Sequence, residues 1–599
     1  MKHPQISKIR REPSRARQLS PLAWASTLAL LSGGATAQAQ QSTAPGAATA
    51  SLEAVVVTGI RKSLDSAVTL KRDSRGLVDG IVAEDIGKFP DTNLAESMQR
   101  IAGVSIDRNA SGEGSRVTVR GVGPDFNMVL LNGRQMPTSA INQLNGGASG
   151  SRAFDFANLS SDSISALEVY KTARAESPTG GIGATINIKT ARPLDLRERI
   201  ASIGVKANYD GSVSRLPNEL KGDKVTPELS GIYSDTFGDR TVGIAISGSY
   251  SKRSSGSNNA YTQNGWNASA AGTGPLTTVA PAGNIKNAPT SGIYAYTNDM
   301  RYSLTGMERE RLNGQAVLQF APSKDLKFTL DHTMAVNKVK ALNSENSAWF
   351  GGSFSGALNS SPPTTFTAGP IATPTTQTSV WDGTHDYAMN QGQFAQKTKL
   401  NSTGLNLAWK VSDALSIDFD AHSSKSKTSP DSPYGTYAIL DLALFNQGNT
   451  TGYYDQKLPI MSSPGMTYDP NKTTVTGSQF NSNLADQSVD QFQTHATYRL
   501  SSDDKLLAGL GFTKLKNRAA NANNFHGDWG GIGPQGSFKN VPVSTSSLGG
   551  YFSRIPGHDD PRLFPNFYVP DFEALRKQAV ANAQKYGTSS TGNVPLSAA

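Results

Sequence analysis

From about residue 200 onward, apolar and polar side chains alternate with a period of two. Ala201, Ile203, Val205, Ala207 and Tyr209 fall on one face, against Ser202, Gly204, Lys206 and Asn208 on the other. Val242, Ile244, Ile246 and Tyr250 repeat the pattern, and it recurs at Leu312 to Phe320, Leu326 to Val336, Thr403 to Trp409, Leu415 to Ala421, Phe492 to Tyr498 and Leu506 to Phe512. This period predicts β-strands with two chemically different faces. Each is about ten residues long, enough to cross a bilayer when tilted.

The connections sharpen the expectation. "FGDR" (237–240), "PSKD" (322–325), "VSDA" (411–414) and "SSDD" (501–504) are short turns, and they alternate with long connections at about 253–308, 341–399 and 428–486. Structureless loops of that length are uncommon in compact domains. An outer-membrane barrel has short periplasmic turns and long extracellular loops by construction. About nine strands are expected before residue 520, followed by a long loop with a helix over 572–586, capped by Asp571 and stopped by Gly587. Open sheet edges are not tolerated in lipid, so the expected barrel is incomplete and the chain is expected to be the N-terminal part of a longer protein.

Composition agrees with this pattern without requiring it. Gly is 58 of 599 residues, charged residues are 18%, mean hydropathy is −0.39 and no apolar run of helical membrane length follows residue 31. Residues 1–39 read as a signal peptide, with a basic start, an apolar stretch from Leu22 to Leu31 and A-x-A patterns at 35–39. Six of the 57 basic residues and one of the 48 acids lie there, leaving 51 against 47, a net of +4. A nucleic-acid partner is not expected on that balance. With no cysteine, thiol catalysis and cysteine-ligated metals are excluded. The seven histidines are scattered without ligand spacing, so no metal and no cofactor are expected. The GxGxxG at Gly531–Gly536 lacks a preceding strand and a following helix. No acid, base and nucleophile stand out, and the chain is not expected to be an enzyme.

Residues 60–198 are too short-stranded and irregular to span a membrane. A short helix capped near Asp91 or Asn93 leads into a strand after Gly103, and "RVTVRG", "NMVLLNGR", "ALEVYKT" and "GATINIKT" are further short strands. "VVVTGIRKSL", "DIGKFPDTNLAESMQRIAGVSI", "SRVTVRGVGPDFNMVLLNGR" and "SISALEVYKTARAESPTGGIGATINIKTARPLD", in this order over residues 52–196, resemble the N-terminal box and plug of TonB-dependent outer-membrane receptors. The "KFPD" and "GPDFN" wording looks most like the subgroup of xanthomonads, caulobacters and related proteobacteria often linked with carbohydrate uptake.

The resemblance implies a mainly β protein of four parts: a signal peptide (1–39), a flexible segment with the TonB box (40–62), an αβ plug (63–198) and the first part of a transmembrane antiparallel β-barrel (199–599). It implies a place in the outer membrane of a Gram-negative bacterium, among its lipid. The expected function is energy-coupled uptake of a small solute. The expected partner is TonB, with the inner-membrane ExbB/ExbD motor. The box matches Glu53, Ala54, Val55, Val56, Val57, Thr58 and Gly59, an extended strand that would pair with an edge of TonB by β-augmentation. The alternative is that Val55–Val57 is simply the first plug strand.

Family plugs present loops upward, and the matching stretches are 108–115, 121–127 and 134–152. Their expected ligand contacts are Arg108, Asn109, Glu113, Asp125, Asn127, Arg134, Gln135, Asn142, Gln143, Asn145 and Arg152. Trp266, Trp349, Trp381 and Trp529 fall in expected extracellular loops, with Tyr261, Phe350, Tyr434, Tyr437, Tyr453 and Tyr454. Aromatic faces among amides and hydroxyls suit a carbohydrate or oligosaccharide. Alternatives are a ferric siderophore or haem on the same scaffold, or an adhesin or barrel enzyme.

Overall fold

The computed structural model describes residues 58–74, 76–82, 93–109, 112–138, 151–161, 164–196, 198–263, 265–274, 285–350, 362–502, 504–526 and 534–586. The N-terminal unit begins with helix α1 (Thr58–Asp73), whose stretch from Ile60 to Asp73 has no Gly or Pro to break it. It continues through β1 (Val78–Val82), α2 (Leu94–Met98), β2 (Val104–Arg108), β3 (Gly114–Val119), β4 (Met128–Leu131), β5 (Arg134–Gln135), β6 (Ile164–Tyr170) and β7 (Thr185–Thr190). Asn93 caps α2 by accepting from the Ala95 amide at 2.8 Å. One sheet runs β1-β6-β7-β4-β5, and β2 and β3 form a separate hairpin. Leu167, Val169, Ile186 and Ile188 form its fully buried centre.

Next come β8 (Ile200–Tyr209), β9 (Val225–Phe237) and β10 (Val242–Tyr261). After the short β11 (Asn267–Ala270), β12 (Ile285–Lys286) and β13 (Ile293–Tyr296) follow the long β14 (Asp299–Ser323) and β15 (Leu326–Trp349). Past β16 (Thr364–Phe366) and β17 (Ile371–Ala372) come β18 (Pro374–Lys410), β19 (Leu415–Pro430), β20 (Tyr437–Tyr453), β21 (Ile460–Ser462), β22 (Thr473–Arg499) and β23 (Lys505–His526). The wall is the antiparallel meander β8-β9-β10-β14-β15-β18-β19-β22-β23. The predicted turns at 237–240, 322–325 and 411–414 form, and beside the fourth the flanking residues Arg499 and Lys505 pair. In "FGDR", Gly238, Asp239 and Arg240 all take positive φ, the twist a tight hairpin needs.

The long connections are a correction. Much of each is strand, because β10, β14, β15, β18 and β22 run on past the ten-residue alternating stretches. β20 continues β19, pairing with β18 and β22 above β19's end. Upper segments such as Asn343-Ser344-Glu345-Asn346-Ser347 are polar on both faces, so they carry no apolar period to reveal a strand. The predicted helix is α4 (Phe572–Tyr586), capped by Asp571 Oδ1 accepting from the Ala574 amide at 2.7 Å. Short strands β24 (Val543–Ser547) and β25 (Asn566–Pro570), with α3 (Leu548–Tyr551) between them, were not expected. Phe564, Tyr568 and Leu575 of this segment pack with Tyr302, Tyr387 and Leu440 of the upper wall. Asn346 clamps it, donating to the Tyr568 carbonyl and accepting from its amide, both at 2.8 Å.

The lower wall inverts the order of a water-soluble protein. Ile203, Val205, Ile246, Leu318, Leu405, Phe492, Leu510 and Phe512 are exposed outside, while Ser247, Gln319, Thr329, Asn406 and Gln491 are buried inside. An apolar belt of this extent is stable against lipid rather than water. Phe237, Phe320, Trp409 and Tyr498 sit exposed beside the short turns, where an interfacial aromatic girdle belongs.

Candidate functional site

The N-terminal unit lies against the polar inner face of the wall, and buried charges hold it there. β5 follows the turn Asn132-Gly133, both at positive φ, which aims Arg134 at the wall. Its guanidinium donates through Nε and Nη2 to Asp420 at 2.8–3.0 Å and through Nη1 to Asp331 at 2.7–2.8 Å. The Arg134 and Asp331 side chains are 2% and 3% exposed. Gly404 lies between the two acids' strands, in register with Asp331 and with His422. A Cβ there would stand 1.7 Å from Arg134 Nη1, so only glycine leaves room for the guanidinium. Around this centre, Gln491 accepts from the Gln135 amide at 3.1 Å, Gln487 from the Thr138 amide at 2.6 Å, and His422 Nε2 meets the Gln135 carbonyl at 3.1 Å.

A second link has the opposite polarity. Glu113, at the end of the β2–β3 hairpin, accepts from Arg253 at 2.8 Å and from Arg309 at 2.7 Å through the same oxygen, Oε1. Its Oε2 also pairs with Arg309. The hairpin tip is closed by Asn109, whose amide donates to the Glu113 carbonyl at 2.8 Å and whose side chain accepts from the Glu113 amide at 3.1 Å. The wall thus holds a cation of the inner unit with two acids and an acid of that unit with two cations. Desolvating such groups is expensive, but removing one partner costs more, about 3–5 kcal/mol.

Several residues expected to meet solute make internal contacts. Arg108 pairs with Glu96 and donates to the Gly112 carbonyl at 2.8 Å. Asn127 donates to the Val117 carbonyl at 2.8 Å. Asp125 organises the loop ahead of it, accepting from Ser151 Oγ and the Arg152 amide at 2.7 Å and from the Ala153 amide at 3.2 Å. Partial burial raises its carboxyl, but these bonds hold it below the usual aspartate value. Arg152 is exposed and donates to the Gly180 carbonyl at 3.0 Å. Short polar side chains near turns satisfy backbone groups first, which sequence alone does not separate from ligand contact.

The loop aromatics divide. Trp266 is 43% exposed and stands edge-on to Tyr454, and Tyr261 is 41% exposed. Trp349 lies beneath the Arg301 guanidinium at 4.7 Å, and Phe350 is fully buried. Tyr434 bonds Glu573 of α4 at 2.6 Å, and Tyr453 lies under Arg562. Trp381 belongs to β18 by its backbone. Its side chain, Glu53 to Val57, Asn142, Gln143, Asn145 and Trp529 lie outside the described residues. Thr58 and Gly59 open α1 instead of ending a strand.

Sequence reading missed the wall half of the site: Asp331, Asp420, Arg253, Arg309, Gln487 and Gln491. The signal was present, since each occupies an inward position of an alternating strand where only lumenal polarity explains a charge or amide.

Residues 70–185 match the family described as TonB-dependent Receptor Plug Domain. No curated protein matches the chain. Among solved structures, the chain is similar to a mutant of the ferric enterobactin receptor PfeA from Pseudomonas aeruginosa, at 11% identity over 80% of this chain and 74% of that one, TM-score 0.31. It is similar to the siderophore receptor PirA from Acinetobacter baumannii, at 12% identity over 76% and 78%, TM-score 0.26. It is also similar to BauA, the ferric preacinetobactin receptor of Acinetobacter baumannii, at 11% identity over 75% and 63%, TM-score 0.26. The family match covers the N-terminal unit and supports a plug domain of the TonB-dependent receptor type.

Proposed function

We propose that this protein takes up a solute across the outer membrane of a Gram-negative bacterium, with TonB and its inner-membrane motor supplying the energy that moves the plug. The observation that carries the reading is a plug-family domain seated on the polar inner face of a wall whose outer face is an apolar belt. Each buried ion pair between plug and wall adds to the free energy of displacing the plug, which a pull from the periplasm would supply. The segment 53–59 is the handle: drawn out as an extended strand, with Thr58 and Gly59 leaving the start of α1, it would offer main-chain hydrogen bonds to an edge of TonB.

The solute we propose is a carbohydrate or oligosaccharide, supported by the exposed rings of Trp266 and Tyr261 beside polar loop residues. Uptake of labelled oligosaccharide and of labelled ferric siderophore into whole cells, with and without a proton-motive-force uncoupler, tests both steps. Uncoupler-sensitive sugar uptake is the expected result. Uptake indifferent to the uncoupler would refute energy coupling, and siderophore uptake alone would refute the carbohydrate.

A further inference from the structure

On the outer face of the wall, above the apolar belt, six lysines crowd onto three adjacent strands: Lys338 and Lys340 of β15, Lys397 and Lys399 of β18, and Lys425 and Lys427 of β19. Alternation fixes their side. Asn337 and His422, of the opposite parity, point inward and meet Asn158 and Gln135 of the plug, while the exposed Leu330 and Leu405 share the parity of the lysines on their strands. Their height is uniform as well. Lys338 stands ten residues above Phe328, Lys399 ten above Trp409 and Lys427 ten above Ile417. At about 3.3 Å per residue, and with the tilt of a barrel strand, that is about 25 Å, the height of the apolar band of an outer-membrane barrel. The patch therefore lies at the outer-leaflet headgroups, at the end of the belt opposite the short turns.

Its charge is one-sided. At the two flanks Lys338 pairs with Glu310 at 3.5 Å and Lys425 with Asp486 at 3.1 Å, and Glu308 stands opposite Lys340 in register. Between them, Lys397, Lys399 and Lys427 make no ion pair among the described residues. Lys338 faces Lys397 directly across β15 and β18, and Lys399 faces Lys427 across β18 and β19. Like charges directly opposite on one face of a sheet are destabilising. The other end of the wall is balanced, since each of the first three short turns sets one base beside one acid: Arg240 with Asp239, Lys324 with Asp325, Lys410 with Asp413.

We infer that this patch holds an anionic, phosphate-bearing headgroup of an outer-leaflet lipid, seated between the facing lysines. An anion placed between Lys399 and Lys427 turns their repulsion into attraction to a shared partner. The lysine stems lie along the top of the belt while their ammonium groups reach the phosphate oxygens. A free phosphate carries the same charge but has no acyl chains to lay on the belt below, so the position selects the lipid. The inference rests on the lipid-facing reading of the wall and is independent of which solute is carried.

The test uses the full chain in uncharged maltoside micelles, with bisphosphorylated lipid A as the probe, phosphatidylcholine as the lipid without net charge and inorganic phosphate as the free anion. Acetylation rates of individual lysines, read by mass spectrometry, report the site, and native mass spectrometry counts bound lipid. Lipid A is expected to slow acetylation of Lys397, Lys399 and Lys427, and the other two probes to leave it unchanged. Combining Lys397→Gln, Lys399→Gln and Lys427→Gln is expected to weaken lipid A roughly 10²-fold, at about fivefold per surface cation. Lys324→Gln with Lys410→Gln, at the opposite end of the wall, is expected to change nothing, and amide exchange of the wall strands checks that both variants are folded. Equal protection by phosphatidylcholine, protection by inorganic phosphate alone, or an equal loss in the two variants would overturn the inference. No protection by lipid A would leave the patch to water or to an acidic protein and would overturn it too. Neither solute nor energy enters these readouts, so they fail independently of the uptake assay that tests transport.

Discussion

Replacing Arg134 by methionine keeps most of the side-chain volume and removes the one cation between Asp331 and Asp420. Five donor–acceptor contacts of 2.7–3.0 Å are lost, and two carboxylates, 3% and 11% exposed, face each other without a counter-charge. Removing one partner of a buried pair costs about 3–5 kcal/mol, and here one cation serves two acids, so the upper half of that range is expected. At about 1.4 kcal/mol per decade, a loss of ~4 kcal/mol raises the opening equilibrium at the plug–wall contact roughly 10³-fold. Amide exchange over 128–138, read by mass spectrometry, measures it. Gly404→Ala should reproduce the pattern without touching a charge, because the added methyl would stand 1.7 Å from Nη1. Combining Arg134→Met with Asp331→Asn and Asp420→Asn should recover most of the protection, since no unpaired charge is then left buried. An increase in exchange of less than about tenfold in Arg134→Met, or a silent Gly404→Ala, would refute the latch.

Val56→Pro should abolish energised uptake while leaving solute binding nearly intact, because proline removes a donor from the strand offered to TonB; Val56→Ile should matter far less, and uptake assays beside binding isotherms decide it. Asn346→Ala strips the Tyr568 backbone of both its clamp bonds, and a cost of about 1–3 kcal/mol should appear as faster exchange over 566–570 with the lower wall unchanged. The depressed Asp125 carboxyl stabilises the 151–154 stretch above the ordinary aspartate value of 3.8, and that contribution should disappear as pH falls below it, through the folded value. Exchange of 151–154 as a function of pH shows this, and Asp125→Asn should flatten the profile.

The lower wall was legible because lipid on one side and a polar lumen on the other force a strict period of two, as in Ile203 and Val205 against Gly204 and Lys206. The upper wall was not, since strands such as 340–349 are polar on both faces and their pairing depends on neighbours far along the chain. The plug half of the site could be named from residues 108–152, but what those residues do could not. Arg134 and Glu113 look like loop charges awaiting a ligand until Asp331, Asp420, Arg253 and Arg309 are brought to them across up to 286 positions of sequence. The position of Gly404 meant nothing in sequence, because its reason is a guanidinium from another element. The loop aromatics were read as faces suited to a sugar, yet Phe350 is fully buried and Trp349 lies under an arginine.

Whether the plug must move for solute to pass can be measured directly, because the chain has no cysteine to interfere. The Thr138 amide touches the Gln487 side chain at 2.6 Å, so cysteines at these two positions, bridged by a short thiol-specific crosslinker that is itself cleavable by reductant, tie the plug to the wall. Energised uptake of the labelled solute should stop in the crosslinked protein, persist in either single-cysteine variant, and return on cleavage, with binding unchanged throughout. Undiminished uptake by quantitatively crosslinked protein would contradict the account.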